Sequence, residues 1–450
     1  MDNQQSLKEE RISKLLLKYS TPAILAMIVT SLYNTIDRAF IGSIKDVGAL
    51  AISGLGVTMP LLTILGAFCV AIAVGGSTNI SIKLGEGNKE EAEKILGNTF
   101  ALEFVVGILM TLIGIFFLDE ILYLFGASSD TIAYSRDYMG VIIVGAWFNL
   151  PGFGLNNAIR AEGNPKLASK MMISTCILNL ILDPIFIFVF NMGIKGAAIG
   201  TVICQLTICL WSLHYFTIGK SSLKLKKKNI RMEKKLIKII VIVALTPFFM
   251  ELAAGFIHLV TNKVLQIYGG DLAIGAMTAV TSISLMFLMP VFGLSQGMQT
   301  IIAYNYGANQ IERAKKALLI AIVVASGLLT IGCILIKLFP EFFVGIFTKD
   351  KELMELAING ININLVTLPT IAISILGSVY FQCIGKAKLS MVLSILRQVI
   401  ILIPVILIVP RLFELNGVWA SQPIADLGSM IIVGIFLIKE FKNKYSEITK

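Results

Sequence analysis

Leu178-Asn179-Leu180-Ile181-Leu182-Asp183-Pro184 lies inside an apolar run that extends from residue 167 to 191. A helix of that length crosses a hydrocarbon core of about 30 Å. Asn179 and Asp183 are four apart, so on a helix they share one face, one turn above the other. Pro184 has no N–H, which leaves the carbonyl of Leu180 without its helical donor. The stretch is therefore a polar stripe within a hydrophobic span. A carboxylate at membrane depth costs about 2.5 to 3.5 kcal/mol, and acids so placed line ion paths or proton relays more often than they merely pack a bundle. A hydrogen-bonded pair that only joins helices is the plainer alternative.

Outward from this span, twelve apolar runs follow one another, the first near residues 15 to 42 and the last near 417 to 438. With 450 residues, 56% hydrophobic and 15% charged, and a mean hydropathy of +0.83, the chain has too little polar surface to cover a soluble globule. The fold class expected is all-α, a polytopic membrane protein of twelve transmembrane helices. The net charge of +10 could suggest nucleic acid, but its distribution points to topology. With the N-terminus inside, 28 of the 38 basic residues fall in the tails and in alternate loops on one side. Both termini are therefore expected in the cytoplasm, and Asp130 and Asp350 in external loops. The first eighteen residues read as an interfacial helix leading into the first span. All six cysteines sit in apolar spans with no paired spacing in any loop, so neither a disulfide framework nor a metal site is indicated. No nucleophile motif and no metal-spaced His/Asp cluster is present, so no enzyme and no cofactor is expected.

The chain also repeats itself. Shifted by 222 residues, Leu84-Gly85-Glu86-Gly87-Asn88-Lys89 lies over Tyr306-Gly307-Ala308-Asn309-Gln310-Ile311, Gly75 falls on Gly297, and Thr78 on Thr300. This marks two homologous halves of six spans each, 1–219 and 236–450, joined by a lysine-rich linker at 220–235. An even number of spans per half makes the repeat parallel, with substrate paths expected between the halves. The halves differ chemically: at the same shift Asn179 meets Ile401 and Asp183 meets Val405. Symmetric packing does not demand the polar stripe, so the site is peculiar to the N-terminal half.

Tyr33-Asn34-Thr35-Ile36-Asp37-Arg38 places a second acid toward the outer end of the first span, and Thr201 lies near the outer start of the sixth. Asp37, Asn179, Asp183 and Thr201 offer oxygens suited to a hard cation, or two carboxylates that share one proton. Pro22 removes a backbone bond from the first span and makes it a hinge candidate. Arg397 is expected to form a structural ion pair with Asp426 or Glu251, since an unpaired charge there would be costly. Glu103 has no evident partner, and His258 reads as a satisfied polar residue of the bundle.

Four stretches in order carry a resemblance: Asp37-Arg38-Ala39-Phe40-Ile41-Gly42, Ile159-Arg160-Ala161-Glu162-Gly163-Asn164-Pro165-Lys166, Asn179-Leu180-Ile181-Leu182-Asp183-Pro184 and Gly193-Ile194-Lys195-Gly196-Ala197-Ala198-Ile199-Gly200. Together they resemble the multidrug and toxic compound extrusion (MATE) family over nearly the whole chain. The resemblance implies a V-shaped pair of six-helix lobes in a bacterial plasma membrane, working as a monomer. It implies export of amphipathic, often cationic compounds against an inward gradient of H+ or Na+, with Na+ the only metal expected. It puts the coupling cation at Asp37, Asn179, Asp183 and Thr201, the bend at Pro22, and the substrate cavity at Tyr33, Asn34, Tyr138 and Asn156. A second cation site of some relatives, a Glu in span seven with an Asp in span ten, is half present, since Glu251 is there but Ala357 to Cys383 holds no acid. The alternative is a lipid-linked precursor flippase of the same superfamily, which a cavity ringed with basic residues would favour.

Overall fold

In hydrocarbon a peptide group has no water to bond, so a crossing segment must satisfy its own backbone as a helix. The computed structural model describes residues 7–42, 44, 48–129, 131–347 and 351–448, and for a few helical residues the backbone alone. Asp130 and Asp350 lie outside the described residues. The first half holds α1 (Ile12–Gly42), α2 (Gly48–Gly85), α3 (Lys89–Leu124), α4 (Ile132–Ala161), α5 (Pro165–Pro184) and α6 (Gly193–Thr217). The second half holds α7 (Lys234–Gly270), α8 (Leu272–Gly307), α9 (Ile311–Leu338), α10 (Lys351–Cys383), α11 (Ala387–Ile408) and α12 (Pro410–Ile448). Among the described residues, eleven helices qualify as spans by length and hydropathy, α1 to α11. The expected twelfth, 417 to 438, runs within α12 beyond a break at Glu414. Between α7 and α8 the chain turns at Gly270, whose φ of 63° and ψ of −161° suit a residue without a Cβ.

Three buried apolar clusters define the shape. The buried residues of one all lie between 41 and 198, and those of a second between 264 and 419. The third runs from Leu7 to Leu437 and takes side chains from both halves. Each half thus has its own core at one end of the molecule, and the two share a core at the end where the termini lie. The result is a V of two lobes, closed at the terminal end.

The repeat reappears as a near-symmetric seam across the V. A Cβ on Gly85 would stand 2.0 Å from the Tyr304 carbonyl oxygen, and one on Gly307 would stand 2.0 Å from that of Ile82. Both pairs of positions are offset by the same 222 residues. Gly75 meets the Ile240 carbonyl of α7, while its repeat mate Gly297 meets Ser20 of α1. Small residues let backbones approach this closely, which is the usual source of helix association in lipid. Two polar contacts cross the same seam. Arg160 Nη1 donates to Gln296 Oε1 at 2.5 Å, and Gln299 Nε2 donates to Thr78 Oγ1 at 2.7 Å.

Of the segment expected to be an interfacial helix, residues 7–18 are described. Leu7 is wholly buried, and Arg313 of α9 donates to the carbonyls of Leu7, at 3.1 Å, and Glu10, at 2.7 Å. Tyr19 then reaches across to the Gly163 carbonyl at 3.1 Å. The lysine-rich linker is similarly fastened to the first half. Glu162 accepts from Ser221 Oγ and the Ser222 amide, Glu93 accepts from Lys224 N and Lys226 Nζ, and Asn98 Oδ1 accepts from the Glu233 amide. One of its charges, Lys226, is thereby set against the buried carboxylate of Glu93.

Candidate functional site

α5 delivers the polar stripe because its helical geometry survives up to Pro184. There the missing N–H ends the regular ladder, and a single wide π-helical stretch, Ile185–Val189, follows. Asp183 is fully buried and Asn179 is 1% exposed. Asn179 Nδ2 donates to Asp183 Oδ1 at 2.9 Å. That bond leaves Asn179 Oδ1 and Asp183 Oδ2 buried with no donor among the described residues. Asp37 of α1, 7% exposed, lies against Asp183 at hydrogen-bonding range. Two carboxyls sharing a buried site repel when both are ionised, which favours a shared proton or an intervening cation.

α6 closes the site through two glycines four residues apart. A Cβ on Gly200 would stand 2.5 Å from Asp183 Oδ1 and 3.2 Å from Asn179 Nδ2, and one on Gly196 would stand 2.7 Å from the Phe186 carbonyl carbon. Thr201, the next residue, meets the Tyr33 hydroxyl at 3.4 Å. Tyr138 of α4 is buried within electrostatic range of Tyr33. The structure therefore gathers Asp37, Asn179, Asp183, Thr201, Tyr33 and Tyr138 from α1, α4, α5 and α6. The side chain of Asn34 lies outside the described residues.

Two expected residues stand apart from this cluster. Asn156, 2% exposed, donates to the Ala168 carbonyl at 3.1 Å and packs on Met171, so it ties α4 to the start of α5. Pro22 is fifteen residues before Asp37 on one continuous helix, a separation of about 22 Å. It sits where α1 crosses α8, for Gly293 and Gly297 receive Ile24 and Ser20 in backbone contact.

Sequence reasoning passed over Gly200 as a site residue, although Gly196 and Gly200 form a small-xxx-small pair that signals close helix packing. It also left Glu103 unassigned. Glu103 is wholly buried, with neither carboxylate oxygen partnered among the described residues, and fills the space a Cβ on Gly154 would need. In the second half Arg397 Nε donates to Asp426 Oδ1 at 2.9 Å, and Gln422 Nε2 donates to the same oxygen at 3.1 Å. Of the two partners weighed for Arg397, the structure selects Asp426, while Glu251 stays exposed. No group of three or more His, Cys, Asp or Glu with metal-binding geometry occurs among the described residues.

The sequence model of the MatE family matches residues 22–185 and 234–408. Multidrug export protein MepA of Staphylococcus aureus (strain bovine RF122 / ET3-1) is 28% identical over 433 residues, 94% of this chain and 93% of that protein. The solved MATE multidrug transporter DinF-BH is 36% identical with a TM-score of 0.88, covering 95% of each chain. A MATE protein crystallised in a straight conformation is 22% identical at a TM-score of 0.93, covering 98% of this chain and 99% of that one, a likeness of fold. With a family match over most of its length and the twin-lobed helical fold in place, this chain belongs to the MatE family: it is a multi-pass membrane transporter and not an enzyme.

Proposed function

We propose that the protein is a cation-coupled antiporter that exports amphipathic, often cationic compounds by alternating access. One observation carries the coupling. Asp183 is buried beside Asp37, with Asp183 Oδ2 and Asn179 Oδ1 both lacking donors among the described residues, a pair of open acceptors that a proton or Na+ satisfies. The drug substrates rest on the relatives, named as a multidrug export protein and a multidrug transporter. Residues 1–219 and 236–450 are the two moving lobes, with 220–235 between them. The test is uptake of a cationic dye into inside-out vesicles under an imposed H+ or Na+ gradient. Accumulation against the dye's own gradient, with one of the two ions, is the expected result. Dye movement indifferent to both ions would sink the coupling, and transport of a lipid-linked precursor in its place would favour a flippase.

The cation's state reaches the drug path through α1. Binding between Asp37 and Asp183 favours one form of the helix, and Pro22, with no N–H to give, is where it bends. Pro22→Ala restores the donor and should lower turnover severalfold while leaving dye affinity in place, as single-turnover and equilibrium binding measurements would show. Unaltered turnover would remove the hinge.

The orientation follows from the 28 basic residues on one side, which puts the termini and the closed end of the V in the cytoplasm of a bacterial cell. Single cysteines placed at exposed linker positions such as Lys227 should resist an impermeant thiol reagent in intact cells and react once the membrane is opened. Reaction in intact cells would invert the assignment.

A further inference from the structure

On the face of α1 opposite α8 a groove of about 440 Å³ runs between α1 and α5, next to Pro22. Its walls are Leu17, Pro22, Leu25 and Ile173. Leu17 and Leu25 are 68% and 51% exposed, so in a membrane the groove opens sideways to the acyl chains. At the end nearest the termini, its rim carries Lys18 from α1 and Lys166 and Lys170 from α5. Lys166 and Lys170 are exposed and have no ion pair among the described residues. Lys18 is ion-paired with Glu10 at 3.8 Å. One further atom points the same way. Ser169 Oγ lines the groove beneath these lysines, is 1% exposed, and has no hydrogen-bond partner among the described residues.

An apolar trough open to lipid, capped by three ammonium groups and an unpartnered hydroxyl, has the polarity profile of a phospholipid whose headgroup is anionic. A zwitterionic headgroup brings its own cation to the lysines and gains less. We propose that one anionic phospholipid, from the leaflet on the side of the termini, occupies this groove. Its acyl chain lies along Leu17, Pro22 and Leu25, and its phosphate sits between Lys166, Lys170 and Lys18, above the buried Ser169. The seat is independent of the transport reading, because it rests on the groove and its charges alone. It makes lipid a direct neighbour of Pro22, on the side that α8 leaves open.

Native mass spectrometry of the full-length protein, titrated with phosphatidylglycerol or phosphatidylcholine, tests the seat. One phosphatidylglycerol should stay bound in preference to phosphatidylcholine. A lysine near a membrane surface contributes roughly fivefold in affinity, so Lys166→Gln with Lys170→Gln should erase on the order of 25-fold of that preference. Lys227→Gln with Lys228→Gln, in the linker, should leave it intact. A photoactivatable phosphatidylglycerol should mark peptides from α1 and α5, and lose that mark in the Lys166/Lys170 variant. The proposal fails if the groove variant keeps the wild-type preference, if the linker variant loses it, or if the adduct maps elsewhere.

Discussion

Asp183→Asn and Asp37→Asn are each expected to abolish gradient-driven efflux while leaving the protein folded and inserted. Asn is nearly isosteric with Asp, so the Asn179 contact and the close pass of Gly200 survive in shape. What disappears is the ability to take up a proton, or to give a cation a full negative charge. Coupling free energies of about 1–3 kcal/mol correspond to roughly 5–150-fold in affinity, so steady-state dye accumulation should fall at least about fivefold. Downhill dye binding should stay within about threefold, because the lost interaction is with the ion. The measurement is dye accumulation in vesicles at matched expression, with equilibrium binding alongside. If either variant held a gradient-driven dye ratio equal to wild type, the coupling site would have to be sought elsewhere, first at Glu103, which is as deeply buried.

Substitutions in the seam at the closed end act on structure instead. In Gly85→Ala the new methyl would fall 2.0 Å from a backbone oxygen of the opposite lobe, and Gly307→Ala repeats the clash from the other side. Backbone cannot swing aside as a side chain does, so α2 and α8 must separate. Overpacking of this kind costs about 1–3 kcal/mol per site, and because the two glycines share one crossing, their effects should not add. Each single variant should lower the melting temperature in detergent by several degrees, and Gly85→Leu should leave the lobes unable to close and the protein without efflux. Gly327→Ala, at a position with nothing within 4 Å, is the control and should leave both unchanged. A melting temperature untouched by Gly85→Ala would mean that the seam does not hold the lobes together.

Much of this architecture is legible in the sequence because membrane spans announce themselves by hydropathy and repeats by self-similarity. The 222-residue shift that aligns Gly85 with Gly307 is visible as letters before it appears as a crossing. The pairing of Asn179 with Asp183 follows from their spacing of four, and the need of Arg397 for a partner from the cost of an isolated charge, whereas the choice of Asp426 over Glu251 comes from the structure alone. The contact of Asp37 with Asp183 is different, since it depends on which faces α1 and α5 turn to each other, and periodicity in an almost uniformly apolar span says little about facing. The same limit applies to Asn156, which the resemblance puts at the substrate cavity and whose Nδ2 is bonded to the Ala168 carbonyl of α5. Contacts at the membrane edge are least legible. Nothing in a run of lysines announces that Glu93, Glu162 and Asn98 will fix its backbone, or that Arg313 will donate to the carbonyl of Leu7, because such bonds join residues far apart in the chain.

The fastened linker sets the mechanics of any rocking between lobes. The Glu233 amide is bonded to Asn98, and Gly97 leaves room for the Asn229 carbonyl to lie directly on α3. α7 starts at the very next residue, Lys234, so no slack chain intervenes between the first lobe and the first helix of the second. If the lobes rock, as alternating access requires, Glu233 would be the fulcrum and α7 the lever that turns on it. From Lys234 to Gly270 the lever is about 54 Å long, so a turn of about 10° at the fulcrum would sweep the far end through about 9 Å. A small rotation at the gripped end would thus become a wide opening at the mouth of the V, with little movement of the residues around Asn98.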